Sequence, residues 1–198
     1  MILAGQAGIG KTTVSMMLKG EGGYFYDCTL KKNRGVDGIA ELLTGASSVS
    51  LWEEDFGLKR IIMDEFDALT HDAQQMMKPS LERFADNTVF ICTTNHLHKI
   101  IDPIKSRCSV IYFGYDPSKG DTRDSFTDQM IQIAKRILVN EGVEFNPDDP
   151  EISENLDYVM RECFPEGAND TGELRSPDIR MFIGMLQDRC ATGEYIAF

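Results

Sequence analysis

Gly5-Gln6-Ala7-Gly8-Ile9-Gly10-Lys11-Thr12 fits the pattern GxxxxGK(S/T) at every fixed position. Such a stretch lets backbone N–H groups turn inward onto phosphate oxygens, and the helix that follows adds the positive end of its dipole. Lys11 would neutralise charge on the outer phosphates, and the Thr12 hydroxyl would ligate Mg2+. Gly5, Ala7, Gly8, Ile9, Gly10, Lys11, Thr12 and Thr13 are the candidate phosphate-binding residues. A site of this kind also needs a carboxylate near the metal and a group that activates water, both at the end of a neighbouring strand. Asp64 and Glu65 close the apolar run Arg60–Met63. Asp64 would hold Mg2+ through its water shell, and Glu65 would polarise the attacking water as a general base. Without the glycine-rich loop upstream, the same acidic pair reads as the first turn of a helix. Asn95 ends the next apolar run, where its amide could position the water or simply form a turn. Arg107, in Ser106-Arg107-Cys108, has no carboxylate beside it in sequence and on its own reads as a surface arginine.

These groups need a frame that brings separate segments to one edge. Met1–Ala4, Tyr24–Cys28, Arg60–Met63, Thr88–Cys92 and Ser109–Phe113 are short apolar runs without polar alternation, separated by helical stretches at 11–19, 35–43 and 71–84. That pattern predicts a parallel five-stranded sheet flanked by helices, an α/β architecture with polar groups just beyond the strand ends, where open sheets bind ligands. Pro79 should kink the third helix or end it a turn early. After the turn-rich stretch Gly114–Gly120 only helices are suggested, at 122–140, 150–163 and 177–190. Phe126, Met130, Ile133 and Ile137 recur at helical spacing in the first of these. The reading is two domains, 1–115 α/β and nucleotide-binding, and 116–198 a small three-helix lid.

Composition narrows the function. The 198 residues are 42% hydrophobic and 26% charged, which excludes a disordered chain, a collagen and a disulfide scaffold. The net charge of −12 provides no broad basic surface, so any nucleic-acid contact must be local or shared with partners. Five cysteines without CxxC spacing point to a reducing cytoplasm and to no structural zinc. His96 and His98 lack a third ligand at metal-binding spacing. No apolar run approaches the roughly 20 residues of a membrane span, so a soluble protein with no membrane partner is expected.

The order of motifs resembles the AAA+ clamp-loader ATPases, the small subunits of replication factor C and their T-even-like phage counterparts. It is carried by the glycine-rich loop, Asp64-Glu65-Phe66-Asp67, Thr93-Thr94-Asn95, Ser106-Arg107-Cys108 and Pro177-Asp178-Ile179-Arg180. The resemblance implies an ATP hydrolase working with Mg2+ inside a hetero-oligomer, a pentamer in the family, that opens a sliding clamp and loads it on primer–template DNA. Lys11 and Thr12 then fall on Walker A, Asp64 and Glu65 on Walker B, Asn95 on sensor 1 and Arg180 on sensor 2. Arg107 falls on the arginine finger, acting in trans on ATP held by the neighbouring subunit. Gln74 falls on a glutamine linking the nucleotide site to DNA, and Lys78 and Arg83 are the candidate phosphate contacts on its helix. Family members carry a longer lead-in before Walker A, including an adenine-packing segment, and a further collar domain. The chain is expected to lack both. Two other readings stand beside this one. The first is another AAA+ motor, such as a Holliday-junction helicase or a helicase loader, against which the SRC and DEFD forms argue. The second is a non-hydrolysing nucleotide-binding assembly module, against which Glu65 and Arg107 argue. In the phage reading the compartment is the host cytoplasm.

Overall fold

The computed structural model describes residues 1–47, 58–113, 123–140, 142, 158, 159, 163 and 178–192. The chain divides into two compact units, one of Met1–Gln6 with Gly10–Phe113 and one of Ala7–Ile9 with Gly114–Phe198.

In the first unit, five strands form one sheet: β1 (Ile2–Ala4), β2 (Tyr24–Asp27), β3 (Lys59–Asp64), β4 (Thr88–Thr94) and β5 (Val110–Tyr112). Their spatial order is β2-β3-β4-β1-β5 and every pairing is parallel. Helices α1 (Lys11–Lys19), α2 (Val36–Ser47), α3 (His71–Arg83) and the short α4 (Asp102–Lys105) make the connections. The apolar runs alternate between two buried faces, as a sheet covered on both sides requires. Ile2, Ala4, Ile61, Met63, Phe90 and Cys92 pack on one face with residues of α2 and α3, and Leu3, Ile62 and Ile91 pack on the other with Val14 of α1.

Two element ends can be compared with expectation. Helix α3 runs from His71 to Arg83, as the expected span 71–84 has it, and of the two effects expected of Pro79 the early end does not occur. Proline removes the bond to the carbonyl four residues back and crowds that carbonyl, but the buried stripe Ala73, Gln74, Met77 and Ser80 holds the turns on either side of the exposed ring. The strand β4 does not stop at Cys92 but includes Thr93 and Thr94, which lie opposite Leu3 and Ala4.

In the second unit, α5 (Arg123–Asn140) and α6 (Ile179–Thr192) are described. Met130, Ala134 and Leu138 pack with Phe182 and Leu186, and Ile133 and Ile137 are partly buried against them. The expected helix 150–163 lies outside the described residues apart from Tyr158, Val159 and Cys163, which are helical, with Val159 and Cys163 buried in the same cluster. The Gly114–Gly120 stretch is also outside them. Asp178 caps α6 by accepting from the Met181 N–H at 2.9 Å. The Arg180 amide of this unit donates to the Gly8 carbonyl at 3.1 Å.

Cys28, Cys92, Cys108 and Cys163 form no disulfide. Burial pushes Cys92 up to about 12, and burial together with the neighbouring Cys92 raises Cys28 further still. Tyr26 is raised to about 12, mainly by burial. The folded state therefore holds these protons more tightly than the unfolded chain, whose thiols ionise near 8.5. Stability conferred by the raised thiols is complete below that value and is lost as pH rises toward 12. Urea midpoints measured from pH 8 to pH 11 are expected to fall, and the fall should shrink in Cys28→Ala and Cys92→Ala. Among the described residues no helix is long and apolar enough to cross a membrane.

Candidate functional site

The loop between β1 and α1 owes its shape to backbone freedom at two glycines. Gly8 has φ +81° and Gly10 has φ +88°, a region that side-chain-bearing residues rarely adopt. Gly10 also stands at the N-cap of α1, where no side chain caps the helix, so its first N–H groups are directed at the loop. The Gly5 N–H donates to the Thr94 carbonyl at 3.2 Å, anchoring the start of the loop on β4.

Lys11 is 6% exposed, and its ammonium donates to the Gln6 carbonyl and to Asn95 Oδ1, the latter at 2.7 Å. The Thr12 hydroxyl donates to Asp64 Oδ1 at 2.9 Å. Four of the residues singled out in sequence thus meet through two hydrogen bonds, although they come from three separate segments. Glu65 follows directly in chain and is exposed, and it is the only non-glycine residue with positive φ (+51°) among those described. Its carboxylate has no hydrogen-bond partner among the described residues, while its carbonyl accepts from Ala68 at 2.8 Å in a single 3-10 turn, Phe66–Ala68.

Arg107 is held elsewhere. Its Nε donates to Glu82 Oε1 at 2.6 Å and its Nη1 to the Pro103 carbonyl at 2.8 Å, so its partners lie on α3 and α4. Arg180 is exposed near the start of α6 in the second unit, and Ala7, Gly8 and Ile9 are grouped with that unit. Thr13 is exposed on the first turn of α1. Gln74 is 2% exposed. Its Nε2 donates to the Lys99 carbonyl at 3.2 Å and its Oε1 accepts from the Ile101 N–H at 3.0 Å, tying α3 to the segment that leads to Arg107. Lys78 is half-buried, and Arg83 sits 5.4 Å over the Phe84 ring. His96 and His98 lie with ring centroids 5.6 Å apart, and no group of three or more metal-ligating side chains occurs among the described residues.

Sequence reasoning missed the supports. Asp67 Oδ1 accepts from the Thr94 hydroxyl at 2.8 Å and from the Asn95 N–H at 3.3 Å, fixing the end of β4. The Thr93 hydroxyl donates to Asp64 Oδ1 at 2.6 Å and accepts from the Glu65 N–H at 3.0 Å. The available signal was Thr93-Thr94 itself, two hydroxyls in succession at the end of a buried strand, which must face opposite sides and find partners there.

A glycine-rich phosphate loop between the first strand and first helix, with an acidic pair at the end of β3 and an amide just after β4, defines a P-loop NTPase fold. The chain belongs to the ATPase family associated with various cellular activities, whose profile matches residues 1–115. It is 34% identical over 203 residues to a replication factor C small subunit 1 of Pyrobaculum aerophilum, covering 99% of this chain and 53% of that protein. A replication factor C small subunit of Halobacterium salinarum is 35% identical over 202 residues, covering 99% of this chain and 54% of that protein. The chain spans about half the length of these curated relatives. In fold it is similar to a Thermotoga maritima RuvB Holliday junction branch migration motor, with a TM-score of 0.53 and 16% identity over 94% of this chain and 60% of that one.

Proposed function

We propose that this chain is the ATPase portion of a sliding-clamp-loader subunit, in which ATP binding assembles a clamp-opening complex and hydrolysis releases the clamp on primer–template DNA. The observation that carries the chemistry is the convergence of Lys11, Thr12, Asp64 and Asn95 at the carboxyl ends of neighbouring strands. Kinship with replication factor C small subunits over 99% of the chain supports the clamp-loading part. The hydroxyl of Thr12 and the carboxylate of Asp64, 2.9 Å apart, are hard oxygen donors that suit a hydrated Mg2+. When bound, that ion would neutralise charge on the outer phosphates. The loop N–H groups and Lys11 hold the phosphates, Asn95 orients water, Glu65 takes its proton, and Arg180 acts from a lid formed by residues 116–198. Arg107 serves the next subunit of a hetero-pentamer in the host cytoplasm. The DEFD, SRC and PDxR forms favour a phage source.

Lys11→Ala is expected to weaken Mg-ATP binding about 10- to 100-fold, the worth of hydrogen bonds to a charged group. A fluorescent-ATP titration of both chains checks this, and equal affinity would remove the loop from the site. Likeness to the branch-migration motor is one of fold alone. A pull-down with a sliding clamp in the presence of ATP separates the two readings, because a junction motor has no use for the clamp. Clamp- and primer-stimulated hydrolysis in the assembled complex is the positive result.

A further inference from the structure

Thr93 ties together the two acidic residues on which the proposed hydrolysis depends, through the carboxylate of Asp64 and the backbone N–H of Glu65. In the parallel register Met63 lies opposite Cys92, so Asp64 and Thr93 stand across from each other one step further on. Both point to the sheet face that carries Leu3, Ile62, Ile91 and the packing side of α1. Thr93 is 1% exposed, so its hydroxyl must find its partners inside the protein. Its one proton goes to Asp64 Oδ1 at 2.6 Å, and a lone pair accepts the Glu65 N–H at 3.0 Å. The same Asp64 oxygen takes the Thr12 hydroxyl at 2.9 Å, which leaves Oδ2 as the oxygen not engaged by either threonine.

Glu65 needs this support. Its φ of +51° is a left-handed conformation that is unfavourable for a non-glycine residue and persists only where surrounding contacts determine it. The Thr93 hydroxyl is the contact that receives its amide. We infer that Thr93 is a positioning residue. One buried hydroxyl fixes the rotamer of Asp64 and the left-handed backbone of Glu65, and so sets where the Glu65 carboxylate stands relative to the attacking water. The inference rests on the ATPase reading for its consequence in turnover, but not for its consequence in structure.

Thr93→Val removes the hydroxyl and keeps the shape and β-branching, and Thr93→Ser keeps the hydroxyl. The first measurement is amide hydrogen exchange and the amide proton shift of Glu65 in the nucleotide-free full chain. The valine variant is expected to exchange about 10- to 100-fold faster at Glu65, with an upfield shift, and serine to restore both. The second is ATP affinity and turnover in the assembled complex. Valine should lower kcat about 10- to 100-fold with the ATP Kd within about twofold, and serine should recover most of the rate. An unchanged Glu65 amide in the valine variant overturns the inference. So does a moved amide with unchanged kcat, or a serine variant as slow as valine. If the unmodified chain neither binds nor hydrolyses ATP, the ATPase reading fails by itself, and the amide measurement still decides whether Thr93 holds Glu65.

Discussion

Alanine in place of Arg107 will lower ATP turnover in the assembled complex by about 10³–10⁵-fold while leaving ATP binding by this chain unchanged, if the guanidinium acts as an arginine finger. Its recorded partners are Glu82 and the Pro103 carbonyl, whereas Lys11, Thr12, Asp64 and Asn95 bond among themselves. Two of its five donors are engaged, which orients the planar head and leaves others for a phosphate. Stabilising charge that develops only in the transition state affects rate and not ground-state affinity. The discriminating measurement mixes subunits. An Arg107→Ala chain should silence the site of the neighbour that faces it and spare its own. A loss confined to its own site would place the arginine in cis.

Glu65→Gln is the second large effect, a fall in turnover of about 10²–10⁴-fold, the usual worth of a general base. Glutamine is nearly isosteric, and the backbone N–H that Thr93 receives is retained, so the strand end keeps its geometry. The variant should still bind ATP and assemble, and stall before hydrolysis. Single-turnover phosphate release measured beside equilibrium ATP binding separates these steps. Undiminished release would assign the base to another group.

The phosphate loop could be read directly because its residues are contiguous, and its geometry depends on local glycine freedom. The strands were visible as apolar runs because both faces of the sheet are covered. What sequence obscured was pairing across distance. Thr93 and Thr94 look like the polar end of a strand until Asp64 and Asp67 stand opposite them. Glu82 looks like an ordinary helix glutamate until Arg107, 25 residues on, meets it. Pro79 leaves a kink or an early end open because local propensity is all that a window of sequence contains, while the buried stripe on either side of it carries the helix on to Arg83.

The strand order also determines when the nucleotide site can come into being. β1 is enclosed by β4 and β5, with Ile2 opposite both Cys92 and Val110, so its hydrogen-bonding neighbours lie some ninety to a hundred and ten residues further along the chain. Contacts of such separation are slow to form, since loop closure must precede the reward. On a ribosome adding about 5–20 residues per second, β1 and the loop behind it wait roughly 5–20 s for a partner. Until then Ile2, Leu3 and Ala4 form an apolar segment with nowhere to pair. During synthesis the phosphate loop takes shape only when β4 and the residue after it arrive to give Gly5 and Lys11 their anchors.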